Sequence, residues 1–233
     1  MTQPNLSGRV AIVTGGGHGA GRAIAIQLAK AGAKVCVSDL NPDRAAKVER
    51  QINEAGGEAI SVPADVANKF QCVTIIETTR RTWGQLDIIV NGMAVGPTST
   101  IIKLDEWDFQ RAFDVNVKGS FFMSQLGGRV MADENQERGV MIIQVASTAG
   151  ISEPLPKQAA VCATNGAIVG FAKECAREYV DHNVRVNTAL ISANQPDYEK
   201  AAELALRLFA PEYEQLTGVV FDPDGRLLNW KPS

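Results

Sequence analysis

The chain has 233 residues, 45% of them hydrophobic, which suits one large α/β domain spanning 1–233. Its 23 Lys and Arg against 26 Asp and Glu leave a formal net charge of −3, and the basic residues are scattered, so no nucleic-acid footprint exists. No apolar run approaches the roughly 18 residues that cross a bilayer, which excludes a membrane partner of the spanning kind.

In chain order, strands and helices alternate without repeats or low-complexity linkers. The runs RVAIVTG, KVCVSDL, EAISVPADV, LDIIVNG, GVMIIQVAS, NVRVNTAL and GVVFDPDG read as seven strands. Most are apolar on both faces, so helices are expected to cover both sides of a parallel sheet. The helical segments between them are Gly19 to Ala31, Pro42 to Ala55, Asn68 to Thr82, Asp105 to Ala132, Gln158 to Asp181 and Pro196 to Ala210. This is the pattern of a single doubly wound, Rossmann-type α/β domain. The start MTQPNLSGR lacks the charged and apolar regions of a signal peptide. Cys36, Cys72, Cys162 and Cys175 show no C-x-x-C spacing, so no metal site or disulfide is expected, and a reducing cytoplasm fits.

The first stretch with chemistry in it is VTGGGHGAGRAIAIQLAKAGAKVCVSDL. A strand enters a glycine-rich turn and then a helix, so Gly15, Gly19 and Gly21 allow a pyrophosphate to approach free N–H groups at the helix N-terminus. His18 sits in the same turn as a solvent-facing residue and adds little. About twenty residues on, Asp39 ends the second strand, where a carboxylate accepts from ribose hydroxyls and repels a 2′-phosphate. NAD is therefore expected over NADP.

Several motifs in order then resemble the short-chain dehydrogenase/reductase family over almost the whole length. They are T-G-x-x-x-G-x-G at Thr14 to Gly21, the pair Asp65-Val66, NVKG with Asn116, VASTAG with Ser147, RVN ending in Asn187, and TGVVFDPDG. The resemblance implies one Rossmann-type domain with a seven-stranded parallel sheet, Asp65 and Val66 against adenine, and Asn91 in the cofactor site. It also implies catalysis by an Asn, a Ser, and a Tyr and Lys spaced Y-x-x-x-K. Asn116 and Ser147 match the first two. Val161 stands at the Tyr position and Asn165 at the Lys position. A valine exchanges no proton and an amide carries no charge, so the acid–base step is expected to be absent. Without it, Ser147 reads as a turn former and Asn116 as a structural hydrogen-bonder, both vestigial.

Neighbouring tyrosines offer no replacement: Tyr179 lies far along the same helix, and Tyr198 and Tyr213 follow the sixth strand, beyond the expected substrate position. Met93 and Ala94 are expected to crowd the cleft, as are Ile191 and Ser192 where the family has Pro-Gly. The region of about 188–216 is too short for the substrate lid of relatives. Three functions remain. One is an inactive subunit of a heterotetramer with an active homologous dehydrogenase acting on alcohols or hydroxyacyl thioesters. The second is a nucleotide-binding sensor or scaffold without chemistry. The third is an active oxidoreductase with a non-standard mechanism. NAD(H) binding by this chain is expected to be weak or lost, with the cofactor held by the partner.

Overall fold

The computed structural model describes residues 4–134 and 139–228. A sheet runs through the centre in the order β3-β2-β1-β4-β5-β6-β7-β8. The strands are β1 (Val10–Thr14), β2 (Lys34–Asp39), β3 (Glu58–Pro63), β4 (Ile88–Asn91), β5 (Val140–Ser147), β6 (Val184–Ile191), β7 (Val220–Phe221) and β8 (Leu227–Leu228). The first seven are parallel, as expected; β8 is an addition, paired antiparallel to β7. The expected strand GVVFDPDG is thereby corrected at its second half. Asp222 Oδ1 accepts from the N–H groups of Asp224 and Arg226, at 2.9 and 2.8 Å, and turns the chain back.

Alternation along each strand sends side chains into two cores. Ala11 and Val13 face one layer while Ile12 faces the other; Ile88 and Val90 likewise oppose Ile89. The first layer is covered by α1 (Gly19–Lys30), α2 (Pro42–Glu54) and α7 (Tyr198–Arg207), through Ile24, Leu28, Val48 and Ala205. The second is covered by α3 (Lys69–Trp83), α5 (Gly119–Glu134) and α6 (Ala159–Tyr179), through Ile75, Met123 and Ala172. Continuous apolar strands therefore do what two-sided burial requires.

The segment expected as one helix from Asp105 to Ala132 is helical throughout but carries a π-helical turn inside it. After α4 (Glu106–Ala112) comes a π-helical turn, Phe113–Lys118, before α5 begins. Asn116 lies in that turn. Helix starts are also unequal. Asn41 accepts from Asp43 and Arg44, Asn68 from Phe70 and Gln71, and Asp197 from Lys200. By contrast, α1 starts at His18 with no side-chain cap and no acidic residue in its first turn. Its orphan N–H groups are left for something else.

Because β1 and β4 are neighbours while the chain winds outward from both, the strand order reverses between them. The carboxyl ends of the strands there open a crevice, the place where such sheets bind ligands.

Candidate ligand cleft

A cleft of about 880 Å³ occupies that crevice. At one end its wall includes Gly15, His18, Gly19, Asp39, Arg44 and Asp65; at the other, Ser147, Val161, Asn165, Ile168 and Ile191.

The first end is built by the glycine turn. Gly15 has φ +64°, and a Cβ there would lie 2.7 Å from the Gly92 carbonyl oxygen, so any side chain would force β1 and β4 apart. Gly21 is not in the cleft wall. A side chain on it would strike the Gly15 backbone, so its role is to let α1 close onto the turn. Asp39 Oδ2 accepts from the Gly17 N–H at 3.1 Å and Oδ1 from the Asn41 N–H at 2.9 Å, which fixes the carboxylate while leaving lone pairs toward the cleft. Asp65 receives Arg111 at 2.9 Å and the Ala67 N–H at 3.0 Å. Val66 lines the cleft beside it and packs against Gly119. Asn91 is corrected outright as a wall residue: it is buried behind the cleft, donating to Ser124 Oγ at 3.2 Å.

At the second end the polar groups are bonded to one another. Asn165, only 7% exposed, donates from Nδ2 to Ser147 Oγ and to the Ala149 carbonyl, both at 3.3 Å, and its Oδ1 accepts from the Ser147 N–H at 3.1 Å. Ser147 Oγ also accepts from the Ala149 N–H at 3.0 Å. The side chain at the expected Lys position thus staples the turn after β5. Asn116, 2% exposed, is spent similarly: Oδ1 accepts from the Val95 N–H at 2.8 Å, and Nδ2 donates to the Val95 carbonyl at 2.9 Å and to Thr164 Oγ1 at 3.1 Å. It ties the loop after β4 to α6. Val161 contributes hydrocarbon to the wall.

A further cluster is centred on Glu153, which lies behind the loop after β6, outside the cleft wall. Glu153 Oε2 accepts from Ser192 Oγ at 3.3 Å, the Ala193 N–H at 3.1 Å, the Asn194 N–H at 3.4 Å and Asn194 Nδ2 at 3.2 Å. Its carboxyl is held below the usual range by the Thr148 hydroxyl first, then by the Asn194 and Ala193 N–H groups and Ser192. Sequence reasoning missed Glu153, since no local signal tells that a loop residue will meet the loop after β6.

One expectation about crowding is corrected. Met93 touches the cleft but is only 9% exposed; it packs in the core beside Val66, near Gly119, so its bulk goes inward. Tyr198 does reach the cleft. It stands at the start of α7, 40% exposed, with its ring carbons 3.6 to 3.8 Å from where a Cβ on Gly19 would be. The docking of α7 on α1 brings it there. Tyr179 remains remote, donating to the Ser124 carbonyl at 2.9 Å.

Among the described residues no cluster suits a metal ion, and no helix is long and apolar enough to cross a membrane. The four cysteines are free thiols. Burial pushes Cys36, Cys72 and Cys175 up to about 12.

A strand, a glycine turn, an uncapped helix and a carboxylate at the end of the next strand, all at a switch point, define a Rossmann-type nucleotide site. The chain matches the short chain dehydrogenase family over residues 9–203 and belongs to it. It is 33% identical over 228 residues to a probable tetrahydroxynaphthalene reductase of Zymoseptoria tritici, covering 97% of this chain and 82% of that one. An uncharacterized oxidoreductase of Thermotoga maritima is 32% identical over 193 residues, 83% of this chain and 74% of the relative. Among solved structures, 3-ketoacyl-(acyl-carrier-protein) reductase from Brucella melitensis, complexed with NADH, superposes with a TM-score of 0.87 at 28% identity, covering 94% of this chain and 97% of that one. Membership and that neighbour support a nucleotide cofactor in the cleft. The residues present fit one half of it. Gly15, the free start of α1 and Asp39 would hold the adenosine diphosphate, whereas Val161 and the engaged Asn165 supply neither proton nor charge to a hydride-accepting ring.

Proposed function

We propose that this chain is a catalytically inactive subunit that assembles with an active homologous short-chain dehydrogenase, two copies of each forming a heterotetramer. One observation carries the reading: the side chain at the Lys position is consumed in stapling the Ser147 turn, beside a valine at the Tyr position. Relatives named as reductases support a partner that interconverts a secondary alcohol and a ketone with NAD(H), hydroxyacyl thioesters included.

The surface supports assembly. On α6, Gly166 and Gly170 face open space one turn apart, and Phe171 meets Phe121 of α5 edge-on at 6.2 Å. Phe121 and Phe109 are both more than a third exposed, and Trp107 is 70% exposed. A bare strip flanked by aromatic rings suits a second helix pair. The tail around Trp230, expected to help, lies outside the described residues.

Coexpression with the nearest encoded homologue, followed by size exclusion and native mass spectrometry, tests this. A two-plus-two complex that Gly170→Glu dissolves without unfolding either chain is expected. Homo-oligomers alone, with a homologue fully active and stable by itself, would overturn it. The retained adenosine end favours one second reading, a nucleotide-binding sensor or scaffold, which the same experiment separates by the absence of a partner.

A further inference from the structure

We infer that the cleft is a receptor for the ADP-ribosyl class of ligand, whose affinity resides in the adenosine diphosphate and gains nothing from a nicotinamide. The inference rests on the reading that the cleft holds an adenine nucleotide.

The uneven spending of polar groups carries it. At the first end, the start of α1 has no side-chain cap, Asp39 keeps free lone pairs, and Arg44 lines the wall without an ion pair among the described residues. A diphosphate there would meet helix N–H groups and the macrodipole. Tyr198 forms a wall over the same turn. It is held in place because Asp197 caps α7, accepting from the Lys200 N–H at 3.0 Å, and Lys200 bonds Asp224 at 2.7 Å.

Beyond the diphosphate, the donors of the loop after β6 that could orient a polar ring are taken. Ser192 and Ala193 line the cleft, yet the Ser192 hydroxyl and the Asn194 N–H are given to Glu153, and the Ala193 N–H is shared between Thr148 Oγ1 at 2.8 Å and Glu153. The Glu153 carboxylate is an internal anion seated on the loop after β6. Asn165 is held by the Ser147 turn, and besides the Ser147 hydroxyl and the Gln158 amide what remains is Val145, Val161, Ile168 and Ile191. A nicotinamide riboside placed there loses water from its amide and cation and gains hydrocarbon contact, which cancels.

Titration calorimetry of the full chain with ADP-ribose and with NAD measures this directly. The expected result is an NAD Kd no more than about threefold tighter than that for ADP-ribose. Glu153→Ala releases the Ser192 hydroxyl and the Asn194 N–H and is expected to shift the ratio at least fivefold in favour of NAD, with ADP-ribose unchanged. The wild-type comparison stands even if that variant misfolds. NAD binding more than threefold tighter than ADP-ribose in the wild type would overturn the inference and leave the nucleotide reading intact. An unchanged ratio in a folded Glu153→Ala chain would also overturn it, by removing Glu153 from the argument. Failure of both ligands to bind would sink the inference and the nucleotide reading together.

Discussion

The two ends of the cleft are built from the same sheet edge and differ in what their polar groups face. Around the glycine turn, Asp39 is anchored by two backbone N–H groups and α1 opens uncapped, so capacity points outward. Around Ser147, Asn165 is bonded to the Ser147 turn and Asn116 to Thr164, so the capacity of both amides is turned inward. Buried polar groups cost about 1–3 kcal/mol when unpaired, which favours this pairing. On the proposed reading, this end serves as a structural joint.

The largest expected effect breaks the comparison at the reactive end. If the proposed reading holds, the isolated chain should show no NAD-linked turnover with secondary alcohols, ketones or hydroxyacyl thioesters, for want of an acid–base step worth some 10²- to 10⁴-fold. Reduced-nicotinamide absorbance measures it. Robust turnover abolished by Ser147→Ala would make the joint a working site. Restoring Val161→Tyr together with Asn165→Lys is expected to leave the chain inactive, since Ile191 and the Glu153-held loop remain.

The glycine turn is the more fragile end sterically. Gly15→Ala places a Cβ on the Gly92 carbonyl at positive φ, and the loss should reach at least about 2 kcal/mol by denaturant titration. A milder pair sharpens the contrast. Asn165→Ala should cost about 1–3 kcal/mol by releasing the Ser147 turn, yet leave ADP-ribose affinity unchanged. Asp39→Ala should do the reverse, weakening ADP-ribose by roughly tenfold with little effect on the Ser147 turn. Parallel melting and calorimetry of the two variants give the double dissociation, and coupled losses in both would erase the distinction between the ends.

Much of the sheet and of the glycine end was legible in the sequence because those features are local. A continuous apolar run announces a strand buried on both sides, and G-x-x-x-G-x-G with Asp39 announces its turn. The π-helical turn at Asn116 escaped notice because one extra residue in a helix leaves the apolar pattern nearly intact. That Tyr198 would line the glycine-turn end was not legible, because its position depends on how α7 docks against α1, a tertiary fact absent from its own segment. Met93 was misjudged for the same reason: spacing located its Cα at the cleft, but packing beside Val66 sent the side chain into the core.

The smallest expected effect concerns Glu153, the group that separates the two ends. Its carboxyl is held below its ordinary 4.5 in the folded chain, because Thr148 and the loop N–H groups favour the charged form. A lowered acid contributes stability that is present above the unfolded value and is lost as pH falls through the folded one. The loop after β6 should therefore loosen only below about pH 4.5, with no change between pH 6 and 8. Because the carboxylate is reached by solvent, the contribution to global melting is small, and exchange of the Asn194 amide is the better readout, since the Ala193 N–H is held also by Thr148 Oγ1 at 2.8 Å. Glu153→Gln should make that exchange insensitive to acid and faster at neutral pH, since an amide oxygen is a weaker acceptor for the same donors. If the Asn194 amide stays equally protected from neutral pH down to well below 4.5 in the unsubstituted chain, the carboxylate is not what holds the loop.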